Sequence, residues 1–165
     1  MKSYVRVLAS ALLGLLPMSL TVSAGPNHAL LNFRAHPKGA EEVPAVDTRA
    51  QGQAIFQLSK DGTELHYKLI VANIENVLQA HIHVAPPRVN GPVVTFLYPE
   101  APPPMLIPGR SDGVLAESVI TADSLVGPLA GEPLEVLLVL MLTDETYVNV
   151  HTTQYPGGEI RGQIR

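Results

Sequence analysis

Apolar and polar residues alternate along much of this chain, and a period of two predicts strands rather than helices. In residues 64–72, Leu65, Tyr67, Leu69 and Val71 fall on one face, with Glu64, His66 and Lys68 on the other. Residues 30–35 and 51–58 carry the same pattern, and strand signals recur at 78–84, 92–97, 114–120, 147–152 and 159–164. Between two of these strands, Lys60-Asp61-Gly62-Thr63 has the composition of a hairpin turn in which Gly62 takes positive φ. Short strands separated by Gly and Pro turns predict a mainly β fold, an antiparallel sandwich or barrel.

Residues 133–143 depart from the alternation. They are apolar nearly all round, with Pro133 at the start and Glu132 and Glu135 in the first turn. That arrangement predicts one short buried helix in preference to a central strand. The proline-rich run from Ala101 to Gly109 predicts a stiff surface loop. Within Gly109-Arg110-Ser111-Asp112-Gly113, the letters of a hydrolase nucleophile elbow occur without a buried strand before them or a helix after them, so Ser111 reads as a turn residue.

The first residues read as a targeting segment. Lys2 and Arg6 precede an apolar stretch broken by Ser10, Gly14 and Pro17, and Val22-Ser23-Ala24 has the form of a cleavage site. The expectation is a signal peptide over 1–24 and a single domain over 25–165, exported to a periplasm or secreted, with no membrane span after cleavage. A chain of that size can bury a core without staples. It must do so, because cysteine is absent, and thiolate metal sites and thiol catalysis are excluded with it. The net charge is −4, and removal of Lys2 and Arg6 makes it more negative. The remaining cations from Arg34 to Arg165 look scattered along the sequence, which argues against nucleic acid or an anionic membrane surface as partner.

Ala80-His81-Ile82-His83-Val84 carries the clearest chemistry. On a strand, His81 and His83 point to one face while Ala80, Ile82 and Val84 point to the other. In Tyr147-Val148-Asn149-Val150-His151-Thr152 the valines take one face, and Asn149 and His151 the opposite one. Three imidazoles on the non-core faces of two strands suit Cu(II) or Zn(II), with His81, His83 and His151 as ligands. The plainer alternative is three polar residues on a loop-covered face, hydrogen-bonded to backbone or carboxylates. Glu159 and Arg161 share a strand face. They are candidates for an outer layer, Glu159 orienting an imidazole N–H and Arg161 attracting an anion, while Asn149, Glu159 or water could complete the coordination.

Five blocks together resemble the CHRD (chordin-type) domain family: Gly39-Ala40-Glu41-Glu42-Val43-Pro44-Ala45-Val46, the His81-Ile82-His83 strand, Asn90-Gly91-Pro92-Val93-Val94, the Tyr147 to Thr152 strand, and Pro156-Gly157-Gly158-Glu159-Ile160-Arg161-Gly162-Gln163. The resemblance implies a stand-alone exported domain with a Greek-key-like antiparallel β-sandwich, superoxide-dismutase-like or immunoglobulin-like. It implies no activity. A looser likeness links the His-x-His pair, the distant His151 and Arg161 to the Cu,Zn superoxide dismutase sandwich. Against that likeness, no histidine lies between His83 and His151, and no disulfide can form.

These readings converge on an exported, non-catalytic protein with a copper or zinc site at His81, His83 and His151, and with no catalytic residue or organic cofactor. Two alternatives accompany it. One is a copper-dependent oxidoreductase of dismutase type. The other is an extracellular protein-interaction module without metal, using the loops 34–46 and 97–110.

Overall fold

In the computed structural model, which describes residues 31–165, seven antiparallel strands form a single sheet that nearly closes on itself. They are β1 (Asn32–Ala35), β2 (Gln51–Leu58), β3 (Leu65–Val84), β4 (Val93–Tyr98), β5 (Ile107–Ile120), β6 (Thr146–Thr152) and β7 (Ile160–Gln163). The main path runs β1-β2-β3-β6-β7, with β4 and β5 also paired to β3. Closure comes from the two ends of the described chain. Arg34 and Arg165 exchange backbone hydrogen bonds at 2.6 and 2.8 Å, and Lys38 and Arg161 do the same at 2.9 and 3.3 Å. The mainly β, sandwich- or barrel-like architecture is the one the alternation predicts. The leader, His28 and the predicted start of the first strand at Leu30 lie outside the described residues.

The sheet is organised by β3, which spans 20 residues. Its first half pairs with β2 and β5, its second half with β6 and β4. The sequence suggests two strands here, 64–72 and 78–84, whereas one strand runs through. The ladder to β5 shifts register between Val71 and Ile74 and again between Glu75 and Val77. Asn73 and Asn76 take left-handed φ of 57° and 53°, which short amide side chains tolerate better than most. Their side chains then serve the neighbouring strand. Asn76 Oδ1 accepts from Gly109 N at 2.8 Å, and Asn73 Oδ1 accepts from Arg110 Nη2 at 2.6 Å.

Two further details differ from the sequence reading. Strand β5 begins at Ile107, inside the segment expected as a proline-rich loop, because Ile107 pairs with Val77. Ser111 lies in β5 opposite Ile74 rather than in a turn, and Gly109 and Gly113 at positive φ absorb the irregularity.

The core lies on the inward faces. Phe33, Phe56, Leu58, Leu65, Leu69, Ile74, Ile82, Val148, Val150 and Ile160 are all buried in it. The predicted helix is present as α1 (Leu134–Leu142), which buries Leu134, Leu137, Leu138 and Met141 and leaves Val139 and Leu142 exposed. At Tyr67, the one polar atom of a mostly apolar ring is satisfied, its hydroxyl donating to Leu97 O at 2.8 Å. No helix among the described residues is long and apolar enough to cross a membrane.

Candidate metal centre

Strand parity and register place the histidines together. On β3, His81 and His83 face opposite to Ala80 and Ile82, which are fully buried in the core. Across the ladder, His81 stands opposite Asn149 and His83 opposite Tyr147. His151 lies two residues beyond Asn149, so it shares their face as the diagonal neighbour of His81, a spacing that long side chains bridge. The β3–β4 ladder shifts register at His81 and at His83, and such bulges re-aim the side chains they carry.

The outcome is a cluster in which the three histidines offer ring nitrogens all within 4.8 Å of one another. The ring centroids lie 5.0 to 6.0 Å apart, and the ring of Phe96 walls one side, 4.9 Å edge-on from His81. His81, His83 and His151 are only 3, 8 and 6% exposed. The face that carries them is therefore not solvated. It is roofed by the loops that follow β3 and β6.

Those loops also fix the tautomers. His83 Nδ1 lies 2.9 Å from Gly91 O, and His151 Nδ1 lies 3.0 Å from Pro156 O. A carbonyl only accepts, so both Nδ1 atoms carry the proton and both Nε2 atoms present a lone pair. Nε2 of His83 and Nε2 of His81 have no hydrogen-bond partner among the described residues. An unmet buried polar atom costs roughly 1–3 kcal/mol, so a ligand there would be welcome. His81 Nδ1 lies 3.3 Å from His151 Nε2. That is long for a hydrogen bond. It is also the separation of two nitrogens bound at about 2.0–2.1 Å across a tetrahedral angle.

The electrostatics keep the rings neutral. Burial pushes the His81 imidazole down to about 3, with the neighbouring His151 and His83 adding to the effect. Burial pushes His83 down to about 4 against the opposing pull of the Gly91 carbonyl, and burial lowers His151 as well. Neutral imidazole is the ligating form. By donor chemistry, neutrality and convergence, this cluster could hold a metal ion.

The other residues singled out from the sequence stand around the cluster without touching its open nitrogens. The Glu159 carboxylate accepts from Thr48 and Thr152 hydroxyls at 2.7 and 2.8 Å. Asn149 Nδ2 donates to Glu42 Oε1 at 2.6 Å and to Ile160 O at 3.0 Å. Arg161, 2% exposed, lays its guanidinium 3.5 Å over the Tyr147 ring and donates to Val89 O at 2.8 Å and Asn90 Oδ1 at 3.1 Å. The other face of Tyr147 stacks on His83, with centroids 4.8 Å apart and planes 9° apart.

The family model of the CHRD domain matches residues 33–164. The chain belongs to the CHRD family. No curated protein and no solved structure matches it. Four of the five sequence blocks that resemble the CHRD domain build the cluster, namely the His81–His83 strand, the Gly91 and Pro156 turns that hold the imidazoles, and the Tyr147–His151 strand; the fifth reaches Asn149 through Glu42.

The sequence reading missed two elements of this CHRD site. One is the pair of backbone carbonyls of Gly91 and Pro156, which the sequence shows only as members of two of the CHRD-like blocks. The other is Tyr147, which shares the strand parity of Asn149 and His151 and could have been found by that alternation.

Proposed function

We propose that this CHRD protein is exported and binds one transition-metal ion, copper or zinc, at His81, His83 and His151, in a structural rather than a catalytic role. One observation carries the reading: three buried imidazoles converge, two of them with Nδ1 set on a backbone carbonyl so that Nε2 is the atom left to ligate. His83 and His151 would ligate through Nε2, and His81 through whichever ring nitrogen the bound ion turns toward the cluster. A divalent ion there would take the place of the His81–His151 contact and cross-link β3 to β6.

Burial supports the non-catalytic half of the proposal. A catalytic metal keeps a position open to substrate, and the unpaired Nε2 atoms of His81 and His83 are shielded from solvent. Arg161, the residue suited to steering an anion, is instead held by Tyr147 and the Val89 carbonyl. The export half rests on the basic, apolar and small-residue pattern of residues 1–24.

Electron paramagnetic resonance of tag-free protein titrated with Cu(II) tests the site. Superhyperfine splitting from directly bound nitrogens is expected, and its loss in His81→Ala/His83→Ala. A spectrum unchanged by that double substitution would place the copper elsewhere and end the proposal.

A further inference from the structure

The cations that look scattered in the sequence are not scattered in space. Five of the eleven Lys and Arg residues, namely Arg34, Lys38, Arg88, Arg161 and Arg165, line one groove of about 320 Å³. Only Glu41, of fifteen Asp and Glu residues, lines it with them. The cause is strand alternation combined with sheet closure. Along β1 and its extension, Arg34, His36 and Lys38 alternate outward with buried Phe33, Ala35 and Pro37. Closure then sets Arg34 opposite Arg165 and Lys38 opposite Arg161.

Like charges directly opposite on paired strands are destabilising. The protein offsets this only in part. Lys38 pairs with Glu41 at 3.3 Å, and Arg165 with Asp144 at 2.9 Å. Among the described residues the guanidinium groups of Arg34 and Arg88 have no ion pair or hydrogen bond. The turn over residues 86–89, closed by Val89 N donating to Pro86 O at 3.2 Å, takes its positive φ at Arg88 and sets that residue at the edge of the groove.

We infer that this groove binds a tetrahedral oxyanion group, phosphate or sulfate, clamped between the unpaired guanidinium groups of Arg34 and Arg88. Planar guanidinium forks match such oxygens in pairs. A volume near 300 Å³ suits a small ligand or the anionic end of a larger one. The groove shares none of the three histidines, and Arg161 and Tyr147 stand between it and the cluster.

Isothermal titration of the protein with inorganic phosphate, pyrophosphate and sulfate, at fixed ionic strength in chloride, tests it. Saturable one-to-one binding by at least one of them is expected, weakened at least tenfold in Arg34→Gln/Arg88→Gln and retained in His81→Ala/His83→Ala. The ranking of pyrophosphate against sulfate then separates phosphate from sulfate ligands. Thermal melting of the Arg34→Gln/Arg88→Gln protein without anion checks folding, and relief of repulsion predicts a midpoint at or above wild type. Two results would overturn the inference: no saturable binding of any of the three, or binding unchanged in the arginine variant. Binding of a long polyanion alone, graded by salt and blind to the inorganic anions, would also overturn it, since that reports only a diffuse field.

Discussion

His83 is held by a chain of small decisions around Gly91. The Gly91 carbonyl fixes its Nδ1 proton, while the Gly91 N–H donates to the Tyr147 hydroxyl at 3.1 Å, and Tyr147 stacks on the same imidazole. A Cβ at position 91 would collide with the Val84 carbonyl, so only glycine lets the turn approach so closely. Gly91→Ala is therefore expected to lower metal affinity by about 10–100-fold, the usual effect of losing a partner that orients a ligand. Competition against a chelator would measure it, and wild-type affinity in the variant would refute the role. Glu42 gives a second test, through pH. Burial raises its carboxyl to about 7, against the opposing Asn149 hydrogen bond and the Arg161 charge. The folded state thus holds that proton above the unfolded value of about 4.5 and binds more protons between the two. Its contribution is fully present below about 4.5 and lost as pH rises through about 7. The buried histidines act in the opposite sense at acid pH, so the comparison is with Glu42→Gln. Urea midpoints at pH 4.5 and 7.5 should show wild type losing more stability on the way up than the variant does. Equal changes in the two proteins would mean that Glu42 does not titrate in this way.

Strand β3 shows why the elements were only partly legible. Its two halves alternate cleanly and were visible as 64–72 and 78–84, but Asn73 and Asn76 break the period and imitate a loop. What carries the strand through is long-range: Ile74 pairs with Ser111, and Asn76 takes the Gly109 N–H. No local pattern records those contacts. The same blindness hid the onset of β5, where a proline-rich run pairs from Ile107 onward. By contrast β2 and α1 follow directly from their residues, because burial on one face, or nearly all round, is written in the pattern itself. Of the site, the three imidazoles were legible from parity. The carbonyls that fix their tautomers were not, since a turn signal does not say which way its peptide points. The bulge supplies a prediction. Asn76→Val puts a β-branched residue at φ 53° and removes the bond to Gly109. It should cost about 1–3 kcal/mol, against roughly 1 kcal/mol for Asn76→Gly, which keeps the backbone conformation. Equal denaturation midpoints for the two variants would show that conformation contributes nothing there.

Closure joins the whole molecule to its chemistry. The described chain returns to its own beginning where Arg34 meets Arg165, and that seam gathers cations into a groove beside the histidines, which lie under the loops that follow β3 and β6. With no cysteine available, the proposed metal site would be a cross-link between β3 and β6. An ion that binds only the folded state adds about 2.7 kcal/mol at a hundred times its dissociation constant, so loading should raise the melting temperature of wild type but not of His81→Ala/His83→Ala. The central claim rests most directly on metal content. Tag-free protein, loaded with Cu(II) or Zn(II) and freed of excess, is predicted to retain one ion per chain, and folded His81→Ala/His83→Ala to retain essentially none. No retained ion in wild type, or the same content in both, would contradict the account.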